Sequence, residues 1–226
     1  MNRRWHMLAT TASLVAATLL PACSTKPPEP DWKINAQSAL QRGTYAYLEG
    51  RTAVAEREYA AARAEIARTG RADLLARAEL TRCAARVASL AFEACTGFDA
   101  LRADAPPAEL AYAAYLTSHI TPDEAAQLPA HHRALATPGT SDAGLLEALQ
   151  AMPDALSRQI GAAVLLQGGR ANPQVIALAI DNASAQGWRR PLLAWLTLQA
   201  QRAQTAGDTA AADAVRRRIA VIESGG

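Results

Sequence analysis

Aromatic side chains make up only 5% of the 226 residues, Phe occurs twice, and Val and Ile are sparse beside Ala. Beyond the first two dozen residues no run alternates apolar and polar positions with strand composition. That excludes a sandwich or barrel and leaves helix as the regular element. Cysteine is scarce too: Cys23, Cys83 and Cys95 form no CxxC pair and no Cys/His cluster, so neither a structural metal nor a dithiol centre is expected. Neither sign of charge is in real excess. Lys and Arg number 23 against 21 Asp and Glu, and Arg3 and Arg4 account for the difference. Nucleic-acid binding needs clustered cations to neutralise phosphates, so no nucleic-acid partner is expected.

What is present begins with Met1 to Cys23: Arg3 and Arg4, an apolar run from Met7 to Leu20, then Leu20-Pro21-Ala22-Cys23. Cations followed by a short apolar segment are the layout of a secretory signal, and a spanning helix needs about 20 apolar residues, more than this run holds. The ending resembles a bacterial lipoprotein signal, with Pro21 where that family more often has Ala or Ser. The resemblance implies cleavage before Cys23, with covalent lipid (palmitate) on it. Ser24 in the following position implies the outer membrane, with the domain facing the periplasm. Lipid chains contribute about 0.8 kcal/mol per buried methylene, enough for a multiply acylated end to hold a soluble domain at a bilayer. The alternative is an ordinary cleaved signal in which Cys23 is incidental.

The expected organisation is a signal peptide over 1–22, a Pro-rich lipid-anchored linker over 23–33, an N-terminal helical-repeat region over 34–135, and a C-terminal helical-hairpin region over 136–226. Lys26-Pro27-Pro28-Glu29-Pro30 reads as a stiff tether. Helical spacing runs over 35–48 and 52–69 on either side of Gly50. Gly43 inside the first of these is costly unless a neighbouring helix comes close there. Further helices are expected over 73–90, 92–101, 106–116 and a short stretch from Pro122, then over 145–152, 154–167, 172–186, from Pro191, and after the Gly207-Asp208 turn. Residues 136–143 read as the main loop. The class is all-α, an irregular solenoid of helical hairpins whose Ala-rich faces need stacking to bury a core.

Residues 36–69 resemble one tetratricopeptide repeat. Gly43, Gly50, Ala55, Tyr59 and Ala62 stand at its small and aromatic positions, whereas Ala39, Arg42, Ala46 and Ala67 depart from the pattern. Residues 193–223 repeat the arrangement, with Arg216 in place of the second-helix aromatic. That resemblance implies a peptide or protein partner held by first-helix side chains: Gln37, Leu40, Thr44, Tyr47 and Leu48 in the first hairpin, and Ala194, Thr197, Gln201, Gln204 and Thr205 in the last.

No catalytic constellation stands out. His131 and His132 are adjacent and point apart on a helix, and Glu56, Glu58 and Glu65 among Arg51, Arg57, Arg63 and Arg68 are spaced for local surface pairs. On one continuous helix Cys83 and Cys95 would lie about 18 Å apart, so a disulfide needs a turn between them; two buried thiols are the other option. The expected function is a lipid-anchored periplasmic scaffold or accessory protein mediating protein–protein interactions in a cell-envelope assembly, with no catalytic residue, no metal and no cofactor beyond lipid on Cys23. The alternatives are an enzyme or enzyme modulator acting on cell-wall glycan or peptide, and a purely structural lipoprotein.

Overall fold

A computed structural model describes residues 28–225; the signal-like segment and Cys23 lie outside the described residues. Within them the chain is all-α, with twelve α-helices and one 3₁₀ turn. The first three helices are α1 (Asp31–Leu48), α2 (Thr52–Ala67) and α3 (Ala72–Ala88). Shorter ones follow: α4 (Thr96–Asp99), α5 (Pro107–Leu116), α6 (Pro122–Ala125), α7 (Ala130–Ala136) and α8 (Asp142–Gln150). The chain ends with α9 (Ala155–Gln167), α10 (Pro173–Ala185), α11 (Arg189–Thr205) and α12 (Thr209–Ser224).

Local chemistry sets many of these boundaries. Thr121 and Glu124 form a reciprocal capping box at α6, and the side chains of Ser141, Asp154, Asn172 and Asp208 each accept the N–H three residues on. Pro107, Pro122 and Pro173 occupy first-turn positions where a missing N–H costs nothing. Gly50 and Gly207 close the first and last hairpins at φ +91° and +78°, a region that side chains with a Cβ avoid.

Two elements differ from the sequence reading. Helix α1 begins at Asp31, so Trp32 and Lys33 belong to it and not to the linker. The helix expected over 92–101 is mostly absent, because Leu90, at φ +59°, reverses the chain, and only four residues of α4 form. That reversal returns Cys95 to α3, where it is joined to Cys83 by a disulfide with Cα atoms 6.0 Å apart.

Helices pack as neighbouring pairs: α1 on α2, α9 on α10, α10 on α11 and α11 on α12. At the centre α3 packs on α9, whose residues from Gln159 to Leu165 are all buried, as befits a helix with neighbours on every side. One apolar core runs from Leu48 to Leu196, on both sides of the loop over 137–141. A Cβ on Gly161 would lie 2.6 Å from Leu135 and 2.9 Å from Leu149, so its absence lets α9 approach α7 and α8. The stack also returns on itself. Arg190 at the start of α11 donates to the Tyr47 carbonyl (2.7 Å) and the Thr52 hydroxyl (2.6 Å), with its guanidinium over the Tyr47 ring. Trp195 donates to the Ala88 carbonyl at 3.3 Å. These contacts bring α11 against both α1 and α3.

Candidate functional site

The residues singled out for partner binding divide by burial. Thr44 and Leu48 are buried, so they are packing residues and present nothing to a partner. Thr44 accepts a hydrogen bond from the Tyr59 hydroxyl, and Leu48 belongs to the main core. Leu40, Tyr47 and Ala194 are half-buried, and Tyr47 already carries the Arg190 guanidinium on its face at 4.2 Å. Gln37, Thr197, Gln201, Gln204 and Thr205 are exposed. Gln204 accepts from Arg216, and the Thr197 and Thr205 hydroxyls donate back to carbonyls of their own helix. Of the two sets, Leu40 lines a small pocket with Tyr59 and Ala60.

The charged residues of the first hairpin also pair differently from expectation. Glu58 binds Arg42 at 2.7 Å and Glu56 binds Arg82 at 2.7 Å, both between helices; Arg63 reaches Glu79 on α3. Local pairs are Glu65 with Arg68 and Glu49 with Arg51.

The structure does bring histidines and aromatics together. The Tyr115 hydroxyl and His132 Nδ1 share a hydrogen bond of 2.9 Å, Tyr112 stacks on Tyr115, and His131 lies beside His132. Burial, reinforced by neighbouring His131, pushes His132 down to about 4, and burial pushes the Tyr115 and Tyr112 phenols up. A neutral imidazole and a phenol, both almost wholly buried, form a packed polar pair. Among the described residues no group of three His, Cys, Asp or Glu is placed to hold a metal.

A wider concavity lies elsewhere, between α8 and α10. It is an open groove of about 560 Å³. One wall is a stripe of α10, Gln174, Leu178, Asp181 and Ala185, at the three- and four-residue spacing that lines one helix face. Leu146 and Gln150 of α8 form the other wall, and Arg158 and Asn182 the floor.

That floor is fixed from below. Arg158 donates to the carbonyls of Leu149 (3.2 Å) and Met152 (3.1 Å) at the end of α8, and to Asn182 Oδ1 at 3.0 Å. Asn182 Nδ2 in turn donates to Gln159 Oε1 at 2.7 Å and to the Ala155 carbonyl at 2.9 Å. The guanidinium thus pairs the Met152 carbonyl just past the helix end, adds a second donor to the Leu149 carbonyl, and ties α8, α9 and α10 together. Gln150, Gln174 and Gln186 carry amides at the rim, each offering both a donor and an acceptor. Sequence reasoning missed this groove because its walls come from helices two apart in the chain. The only local signal is the apolar and amide stripe of α10. Compared with protein-family models, characterised proteins and solved structures, the chain matches none of them.

Proposed function

We propose that this chain is a lipid-anchored scaffold or accessory protein of the bacterial envelope, held to the outer membrane through Cys23, with its helical stack facing the periplasm. The α8–α10 groove takes an extended segment of a partner protein. The observation that carries this reading is the groove's lining: primary amides at the rim over apolar Leu146, Leu178 and Ala185. An extended peptide exposes alternating N–H and C=O groups, which side-chain amides match in both senses, while its side chains need apolar footing. Tetratricopeptide-like stacking of hairpins is the architecture we assign to the chain, and the helix–Gly–helix pattern of its two terminal hairpins supports it. The secretory layout of residues 1–23 supports export and anchoring.

Photo-crosslinking residues placed at Gln174 and Gln186 in the full chain, expressed in its own envelope, test the reading. The expected result is the same crosslinked polypeptide from both positions, none from Arg57 on the outer face of α2, and loss of the product in Leu178→Glu with helical content unchanged. Equal yields from Arg57 and Gln174, or products indifferent to Leu178→Glu, overturn it. Cys23→Ser tests the anchor separately: the precursor should lose its lipid and leave the membrane fraction.

A further inference from the structure

A second concavity, independent of the groove, lies between α3, α5 and the turn before α7. It is a cleft of about 420 Å³ walled by Leu80, Tyr112, Leu128 and Pro129. Its polar feature is Glu109, on the first turn of α5, whose side chain is only 8% exposed. Arg77 reaches Glu109 from α3 and donates both Nε (2.6 Å) and Nη2 (2.5 Å) to the same oxygen, Oε1. The other oxygen, Oε2, is buried and has no hydrogen-bond partner. A buried carboxylate oxygen without a donor is costly, and structures rarely leave one unpaired.

From this the geometry points to a binding site for an alkylammonium group: an aliphatic stem lying on Leu80, Leu128 and Pro129, with its charged end donating to Glu109 Oε2. Glu109 lines the cleft, and the last torsion of a glutamate is broad, so the carboxyl can present Oε2 to a ligand there. An ammonium offers three donors and fills the buried, unpartnered acceptor in the wall. An anion is disfavoured in the same place. It would lie beside a buried carboxylate, and the only cation in the lining, Arg77, already spends two N–H groups on Glu109 and is itself 66% exposed to water. A neutral alkyl chain would fill the apolar walls and leave Oε2 unpaired. The same stem and ammonium occur in a lysyl side chain of a polypeptide and in a free alkylamine.

The test uses the full chain with ¹³C-labelled leucine methyls, following the Leu80 and Leu128 signals. Titrants are pentylammonium, pentanol, pentanoate and Nα-acetyl-lysine N-methylamide. The expected result is saturable shifts of both residues with pentylammonium, at least about tenfold tighter than with pentanol or pentanoate, which corresponds to about 1.4 kcal/mol. Tighter binding of the lysine derivative identifies a polypeptide as the source, and tighter binding of pentylammonium a free amine. Glu109→Gln should weaken ammonium binding about tenfold or more. Ala108→Leu, which narrows the cleft and leaves Glu109 and Arg77 in place, should abolish the shifts even if Glu109→Gln fails to fold. Pentanoate or pentanol binding as tightly as the ammonium, or undiminished binding to either variant, overturns the assignment.

Discussion

The first and last hairpins share a layout of helix, left-handed glycine and helix, yet they are held in different ways. In α1 and α2 the interface is built from alanines around one aromatic. Ala46, Ala55 and Tyr59 form a small cluster apart from the main core, and a Cβ on Gly43 would come within 3.0 Å of the Tyr59 ring. Interhelical pairs such as Arg42–Glu58 lie over it, exposed enough to contribute only about 0–1 kcal/mol each. In the last hairpin α12 buries only Ala212, while α11 sends Trp195 and Leu196, both fully buried, into the main core. The first hairpin rests mainly on small clusters, one of them shared with Ala78 of α3, and enters the main core at Leu48. The last is rooted by the fully buried Trp195 and Leu196 of α11, with Val215, Ile219 and Ile222 of α12 packed more loosely on the same core. The same sequence pattern therefore specifies a hairpin without specifying how much the rest of the fold depends on it.

The largest expected contrast comes from the two anchoring aromatics. Trp195→Ala should cost about 3–5 kcal/mol and unfold the chain as a whole. Tyr59→Ala should cost about 2–3 kcal/mol, since alanine neighbours leave room for partial collapse, and should loosen α1 and α2 first. Chemical denaturation followed by tryptophan fluorescence and by far-ultraviolet dichroism distinguishes them: coincident transitions for the first variant, separated ones for the second. Equal costs with coincident transitions in both would break the comparison.

Acid sharpens it next. His132 lies in the Leu135-containing half of the core, with its proton affinity pushed down to about 4 from an ordinary value near 6.5. Between those values the unfolded chain binds a proton that the folded chain refuses. Stability is therefore full above about pH 6.5 and falls as the pH drops toward 4, by roughly 2–3 kcal/mol from this group. Melting temperatures measured across that window should decline, and His132→Phe should flatten the decline. A slope equally steep in the variant would assign the acid sensitivity elsewhere.

The smallest effect concerns the tie between the two hairpins. Arg190→Met removes the bonds to Tyr47 and Thr52 while keeping much of the apolar stem, and should cost about 1–2 kcal/mol. Hydrogen exchange should quicken in α1 while α9 keeps its protection; unchanged rates in α1 would show that the tie contributes nothing.

Much of the helical layout was legible in the sequence because local chemistry sets it. Thr121-Pro122-Asp123-Glu124 reads as a helix start and is one, and Gly43 reads as a place of close approach and meets Tyr59. The break after α3 was legible, but the left-handed Leu90 within it was not. A leucine at positive φ carries no sequence signal, and its reversal replaced an expected helix by a loop fastened to α3. Arginine contacts were the least legible. Arg158, Arg170, Arg190 and Arg202 look like surface charges, but each donates to a main-chain carbonyl of another segment, in places left open by an alanine-rich core. Such contacts join residues up to 143 apart in sequence, and no spacing rule reaches that far. Both concavities share this property. The groove needs α8 beside α10, and the cleft needs Glu109 beside Arg77, neither of which periodicity can place.

The central claim is that the α8–α10 groove is occupied by a partner segment in the envelope. Carbodiimide footprinting tests it most directly by comparing Asp181, exposed in the groove, with Asp123, exposed on α6, in isolated envelope membranes and in the purified full-length protein. The account predicts that Asp181 labels several-fold more slowly in membranes than after purification, while Asp123 labels at the same rate in both. Equal labelling of Asp181 in the two preparations would contradict it.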